Sequence, residues 1–364
     1  MLTTWEEPSQ EYPVEDWSDA AESNLTEDFH KSDEWFQELE EKLQKPLADF
    51  QRGKFKRVKI AILDTGIHLC HDDFKEDEEK GTGNIFVKDF LPRASRTIPE
   101  ANDEDGHGTH CAGLLRRVAP AADIYVAKIA HDKKSIDHVA VAKAINYAID
   151  KEKWDVDIIS ISFGFRADSI IEETVGEAIA KAVKKKKLIF AATSNNGHSS
   201  WLAYPAWHPG VIAINSADAD GKPSAFLPRD TADLGMFTAL GEAVKSAWIR
   251  SNATPGETSP TRRMTGTSVA TPIAAGIAAL VLQAASIPCQ RKETRDALAR
   301  LYRRLKWGAV MRDVLKELSV ESGGYRNLVP CDLARTELQA SQVLRFLERV
   351  VAQKYKDEGV SEPE

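Results

Sequence analysis

Three short segments of this 364-residue chain carry the side chains best suited to chemistry. AILDTGI (61–67) puts Asp64 just past an apolar run, with Gly66 two residues on. EDGHGTHCAG (104–113) frames His107 between Gly106 and Gly108. MTGTSVATPIAAG (264–276) places Ser268 at the start of the most apolar stretch of the chain. Singly, each has a plain reading: an Asp after a strand caps or turns, a His packs, a Ser begins a helix. Together they offer a carboxylate, an imidazole that titrates near neutral pH and a hydroxyl beside free helix N–H groups. That set suits nucleophilic acyl transfer, with an oxyanion received at the helix start.

Such groups need a scaffold that converges on them. VKIAIL (58–63), DIYVAKI (123–129), VDIISIS (156–162), LIFAAT (188–193) and VIAIN (211–215) are short runs rich in β-branched residues. Helical patterns at 136–151 and 169–186 lie between them. Continuous apolar strands alternating with helices predict an α/β fold with a mostly parallel sheet covered on both faces. Sites in such sheets form at the carboxyl ends of the strands. Val269–Ile287 reads as a buried core helix, interrupted in apolarity by Thr271, Pro272 and Gln283, rather than a membrane span. Residues 291–319 and 335–356 read as two further amphipathic helices, and the lysine run 184–187 as a solvated helix end.

Composition bounds the function class. Residues 1–50 hold 15 acidic and 3 basic side chains, so the remaining body is mildly basic although the whole chain is −8. An acidic leader on such a body argues against nucleic acid as the main partner. Residues 1–31 lack periodicity. From Ser32 to Phe50, Phe36, Leu39, Leu43 and Leu47 define an amphipathic helix interrupted near Pro46. This segment reads either as a docked helix or as a regulator that covers the cleft or accepts a partner. The four cysteines (Cys70, Cys111, Cys289, Cys331) form no CxxC pair, so free thiols in a reducing compartment and no metal knuckle are expected. The first residues show no basic start followed by an apolar run, so the expected place is the cytoplasm.

The three motifs, in the order Asp, His, Ser, resemble the signature segments of the subtilisin-like serine proteases, the subtilases. The HGTHCAG form is most similar to proteinase K-like members. The resemblance covers roughly residues 56–286 and extends toward GGYRNL (323–328). It implies a three-layer subtilisin-like fold and a Ser268–His107–Asp64 triad in which His107 takes the Ser268 proton and Asp64 holds the imidazole. Asn195 in AATSNNG is implied as the oxyanion donor, with Ser194 where the family has glycine and Asn196 the competing choice. Ser162, Phe163, Gly164, Thr193 and Ala203 are implied as substrate-binding positions. No acid occurs in those stretches, so an uncharged apolar residue is expected before the scissile bond. Cys111, four residues after His107, is expected beneath the imidazole, and His110 is read as structural.

The family pattern is broken in two places. The 55 or so residues before the first strand do not resemble a folded propeptide. The loop that carries calcium after the His motif is reduced to Leu114, Leu115, Arg116 and Arg117, so no metal and no cofactor are expected. The expected organisation is an acidic N-terminal extension (1–50), a subtilisin-like peptidase domain (51–330) and a helical C-terminal extension (331–364). The expected activity is a serine endopeptidase acting on protein or peptide substrates, with neither nucleic acid nor membrane as partner. The rival is a conditionally active or non-catalytic signalling module that keeps the fold.

Overall fold

A computed structural model describes residues 19–50, 56–75, 83–92, 101–132, 135–166, 169–195, 202–227, 236–249, 260–286 and 292–329, with positions 345 and 347–349 beyond them. The chain begins with α1 (Asp19–Leu39), a π-helical turn (Glu40–Gln44) and α2 (Lys45–Phe50). Then follow β1 (Lys59–Asp64), β2 (Ile85–Asp89), α3 (His107–Val118), β3 (Asp123–Lys128), α4 (His138–Ala148), β4 (Ile158–Ile161) and α5 (Ser169–Lys184). The second half holds β5 (Leu188–Ala192), β6 (Ile212–Ala217), β7 (Phe237–Leu240), β8 (Val244–Ala247), β9 (Thr261–Met264) and α6 (Thr267–Ala284). It closes with α7 (Lys292–Leu305), α8 (Gly308–Glu317), β10 (Ser319–Ser322) and β11 (Tyr325–Leu328).

Nine strands form one sheet in the order β10-β11-β7-β6-β5-β4-β1-β3-β2. Every pairing is parallel except β10 with β11. Strand β1 shows why its apolar run is continuous. Ile60 and Ile62 face the core layer of α3 and α6, while Ala61 and Leu63 face that of α4 and α5. All five sequence-predicted strands are present, and the α/β class with helices on both faces holds. Helix α6 is long and apolar enough to cross a membrane, yet every residue of it is buried within the protein, so it is the central core helix.

Three details differ from expectation: the start of the N-terminal helix, the number of helices in 291–319 and the burial of Lys187. The N-terminal helix starts at Asp19 rather than Ser32, and its irregularity is the π turn just before Pro46. Proline lacks an N–H and its ring collides with the carbonyl four residues back; the wider π turn, closed by Lys45 N–H to the Glu40 carbonyl, accommodates it. Region 291–319 is two helices, because buried apolar positions 298, 301, 302 and 305 lose helical spacing before Val310 and Met311. Lys187 is not a solvated lysine: it is buried and pairs with Asp155 at 2.6 Å. Of 335–356 only positions 345 and 347–349 lie within the described residues; they are helical, and Leu347 is buried in the core.

The N-terminal helices dock on α3 and the β8–β9 pair. Phe36, Leu39, Leu43 and Leu47 join the main core. The Arg117 guanidinium lies 3.7 Å from the Phe36 ring centre. Arg263 pairs with Asp33 at 2.5 Å and covers Phe29. Gln44 Nε2 donates to the carbonyls of Arg117 and Val118 (2.7 and 2.8 Å), capping the C-terminal end of α3. His107 starts the opposite end of that helix, about 16 Å away at helical rise. The described N-terminal segment is therefore a strut behind the site, not a cover over it.

Candidate active site

Asp64 is the last residue of β1 and His107 the first of α3. The Asp64 carboxylate Oδ1 accepts from His107 Nδ1 at 2.8 Å and from the Thr65 N–H at 2.8 Å. Both side chains are buried. A carboxylate can only accept, so Nδ1 carries a proton, and in the neutral ring Nε2 is left as the acceptor. Burial disfavours the imidazolium, but the Asp64 charge and hydrogen bond, with Cys111 Sγ beside the ring, outweigh it and hold His107 well above its ordinary value.

The crowding explains the glycines of the His segment. Gly106 has φ +102°, and a Cβ there would lie 2.6 Å from the Trp248 ring. His110 is fully buried with Nε2 facing the Val244 and Arg262 carbonyls, and burial pushes it down to about 3. It is neutral and holds α3 to β8–β9.

Ser268 is the second residue of α6. Cys111 connects it to His107: Sγ lies 3.8 Å from His107 Nδ1 and 3.7 Å from the Ser268 carbonyl oxygen. That carbonyl would normally accept from the N–H four residues on, but residue 272 is proline. The thiol thus occupies a place that the sequence leaves open. Burial pushes Cys111 up, so it stays a thiol rather than a nucleophilic thiolate. Among the described residues Ser268 Oγ has no hydrogen bond; in unliganded sites the bond to the base is often long and tightens with substrate.

Asn195 follows β5, and its Oδ1 accepts from the Thr267 N–H at 2.8 Å. This fixes the amide, so Nδ2 faces the other way. Gly266, with φ +155°, leaves a gap beside it. A Cβ placed there would sit 2.8 Å from Asn195 Nδ2 and 3.3 Å from Ser268 Oγ. A small anionic atom could reach both groups from that cradle. Asn196 lies outside the described residues.

Ser162, Phe163 and Gly164 follow β4, and Thr193 follows β5, all at carboxyl ends of central strands. Ala203 donates its N–H to the Thr193 carbonyl (2.8 Å) and packs on Gly164. The Thr193 hydroxyl is engaged by the Ile214 carbonyl and Asn215, so it offers a substrate its aliphatic face only.

The place of the common calcium loop does not fit a cation. Helix α3 runs unbroken to Val118, and Arg116 there donates to the Gly83 and Pro120 carbonyls. The one group of metal-ligating side chains among the described residues is Asp64, His107 and Cys111, whose donor atoms lie within 4.8 Å of one another. Sequence reading missed Asp103, Thr65, Gly266 and Trp248, which support the site. Only Asp103, an Asx residue shortly before a helix start, left a local signal.

The Peptidase_S8 subtilase family profile matches residues 56–315. The intracellular serine protease of Paenibacillus polymyxa is 31% identical over 71% of this chain and 76% of its own length. The major intracellular serine protease of Bacillus subtilis (strain 168) is 30% identical over 80% of this chain and 87% of its own. Among solved structures, the protease domain of PatA matches with a TM-score of 0.54 and 25% identity, covering 80% of this chain and 95% of that one. The matched span carries seven of the sheet's nine strands, β1–β7, and both helices on which His107 and Ser268 stand, and on that ground the chain belongs to the subtilase family of serine-type endopeptidases.

Proposed function

We propose that the chain hydrolyses internal peptide bonds of proteins or peptides through Ser268, His107 and Asp64, with Asn195 in the oxyanion hole. The observation that carries this reading is the 2.8 Å bond that holds His107 Nδ1 on Asp64 and turns Nε2 outward. Ser268 Oγ attacks the carbonyl carbon as its proton passes to His107 Nε2. Asp64 stabilises the imidazolium so formed. The carbonyl oxygen becomes an oxyanion, received by the Ser268 N–H at the start of α6 and by Asn195 Nδ2. Collapse of the intermediate sends the proton from His107 to the leaving amine and leaves an ester on Ser268. Water repeats the sequence and frees the acid. No cofactor enters any step.

The substrate strand runs beside Ser162–Gly164, and Thr193 and Ala203 line the pocket for the residue before the scissile bond. These walls present methyl groups and backbone without a carboxylate, so the pocket takes uncharged apolar side chains. The cytoplasm is the place of action that fits; two relatives are named as intracellular proteases. The test is labelling with a fluorophosphonate probe beside cleavage-site mapping on a peptide library. Wild type should label at Ser268, and Ser268→Ala should neither label nor cleave. An unlabelled, folded wild type would favour the signalling-module reading. A profile dominated by Lys or Arg would remove the pocket assignment.

A further inference from the structure

Asp103 lies four residues before His107 and belongs to neither the triad nor the oxyanion cradle. It is buried, and five donors surround its carboxylate. Oδ1 accepts from Thr65 Oγ1 (2.8 Å), Asp105 N (3.1 Å) and Gly106 N (2.9 Å). Oδ2 accepts from Thr109 N (2.8 Å) and Thr109 Oγ1 (2.6 Å). The donors come from both sides of the site: Thr65 directly follows Asp64, and Gly106 and Thr109 flank His107.

Thr65 is the informative partner. Its hydroxyl has one proton to give. That proton goes to Asp103, which leaves a lone pair of Oγ1 to accept the Gly108 N–H at 2.9 Å. The alternative acceptor for the same proton is Asp64 Oδ1, 3.4 Å from Thr65 Oγ1. Asp64 Oδ1 is the very atom that holds His107 Nδ1. We propose that Asp103 is a positioning residue for the Asp64–His107 pair: by taking the Thr65 hydroxyl proton it keeps Asp64 Oδ1 for His107. This rests on the triad reading above.

The geometry assigns Asp103 a chemical role that needs an acceptor facing Thr65. In Asp103→Ala that acceptor is gone, and the Thr65 hydroxyl is freed to turn onto Asp64 Oδ1. The Asp64 carboxylate then shares its charge between two donors and holds the imidazole less firmly.

The experiment compares Asp103→Ala, Thr65→Val and the double variant, with each kcat normalised to the sites titrated by the fluorophosphonate. Asp103→Ala should lower kcat roughly 10- to 100-fold with KM little changed, the scale of a small misplacement at a reacting centre. The acid limb of kcat/KM should move to lower pH, because a weakened Asp64 holds the imidazolium less well. In the Thr65→Val background, Asp103→Ala should add little, since the effect passes through the hydroxyl. Thr65→Ser keeps the hydroxyl, so it should keep the wild-type pH profile and lose as much kcat as wild type when Asp103→Ala is added. A fall in melting temperature alone, with kcat per titrated site and pH profile unchanged, would overturn the proposal. So would full additivity of the two substitutions. If Asp103→Ala does not fold, Asp103→Ser takes its place: it must lower kcat beside Thr65 and add little beside Thr65→Val. Failure of the triad reading looks different, because wild type itself would then leave Ser268 unlabelled.

Discussion

Replacing Asn195 separates two roles that one amide plays. Its Oδ1 accepts the Thr267 N–H at the first turn of α6, and its Nδ2 faces the cradle beside Ser268. Asn195→Ala removes both. Loss of an oxyanion donor costs about 3–4 kcal/mol of transition-state stabilisation, or 10²- to 10³-fold in kcat. That magnitude is known from subtilisin itself, so what is predicted here is its transfer to Asn195. The same substitution orphans a buried N–H, which costs about 1–3 kcal/mol of folding stability. Asn195→Asp keeps an acceptor for Thr267 but points a second carboxylate oxygen at the developing oxyanion. The two variants should therefore part company: Ala lowers both melting temperature and kcat, and Asp lowers kcat at least as much with stability nearly kept. Steady-state kinetics on a peptide anilide, with thermal melts on the same samples, reads both. KM should move little, because the ground-state carbonyl does not need the donor. If Asn195→Asp retained more than about a tenth of wild-type kcat, the donor would have to be another group, and Asn196 would be the next to test.

The raised His107 fixes the sign of the pH profile. Catalysis needs the neutral imidazole, so activity should rise with pH through a value above the ordinary 6.5 or so of histidine and level off on the alkaline side. The ionisable groups around it are Asp64, Asp103, Asp105 and Cys111, with His110 neutral; an acid limb at or below the ordinary histidine value would contradict the Asp64 pairing. Asp64→Asn should move the limb down and cut kcat by about 10⁴. Cys111→Val should keep most activity but lose sensitivity to mercurials, because the thiol sits between His107 and the Ser268 carbonyl. Equal inhibition of that variant would point to Cys70, the exposed free thiol among the described residues. Deleting residues 1–50 should destabilise the protein rather than unmask the cleft: four buried side chains at about 1.5–3 kcal/mol each rival a whole domain's stability of about 5–15 kcal/mol. A well-folded, more active truncation, seen by thermal melt and peptidase assay, would refute the strut reading.

The sequence by itself determined whatever is encoded at short range. The five runs were legible as strands of a covered sheet, because apolar, mostly β-branched residues fall on both faces of each rather than alternating with polar ones. Asp64, His107 and Ser268 were legible because each stands at a strand end or helix start within a dense local motif. Phe36, Leu39, Leu43 and Leu47 were legible as one helix face, but the sequence left open what that face meets. Only the tertiary structure decided that it meets the back of α3, with Gln44 capping the helix whose other end carries His107. The short strands β7–β11 carry too few residues for a period, and β11 is a strand because β7 offers it an edge. The same holds inside the site. Pro272 looks like a helix irregularity until Cys111, far off in sequence, fills the space opposite the Ser268 carbonyl. Asp103 looks like a turn residue until Thr65, 38 positions earlier, turns its hydroxyl toward it. Periodicity and motifs report a residue's own segment. Proton direction and side-chain register depend on distances between segments, and those exist only once the sheet has closed.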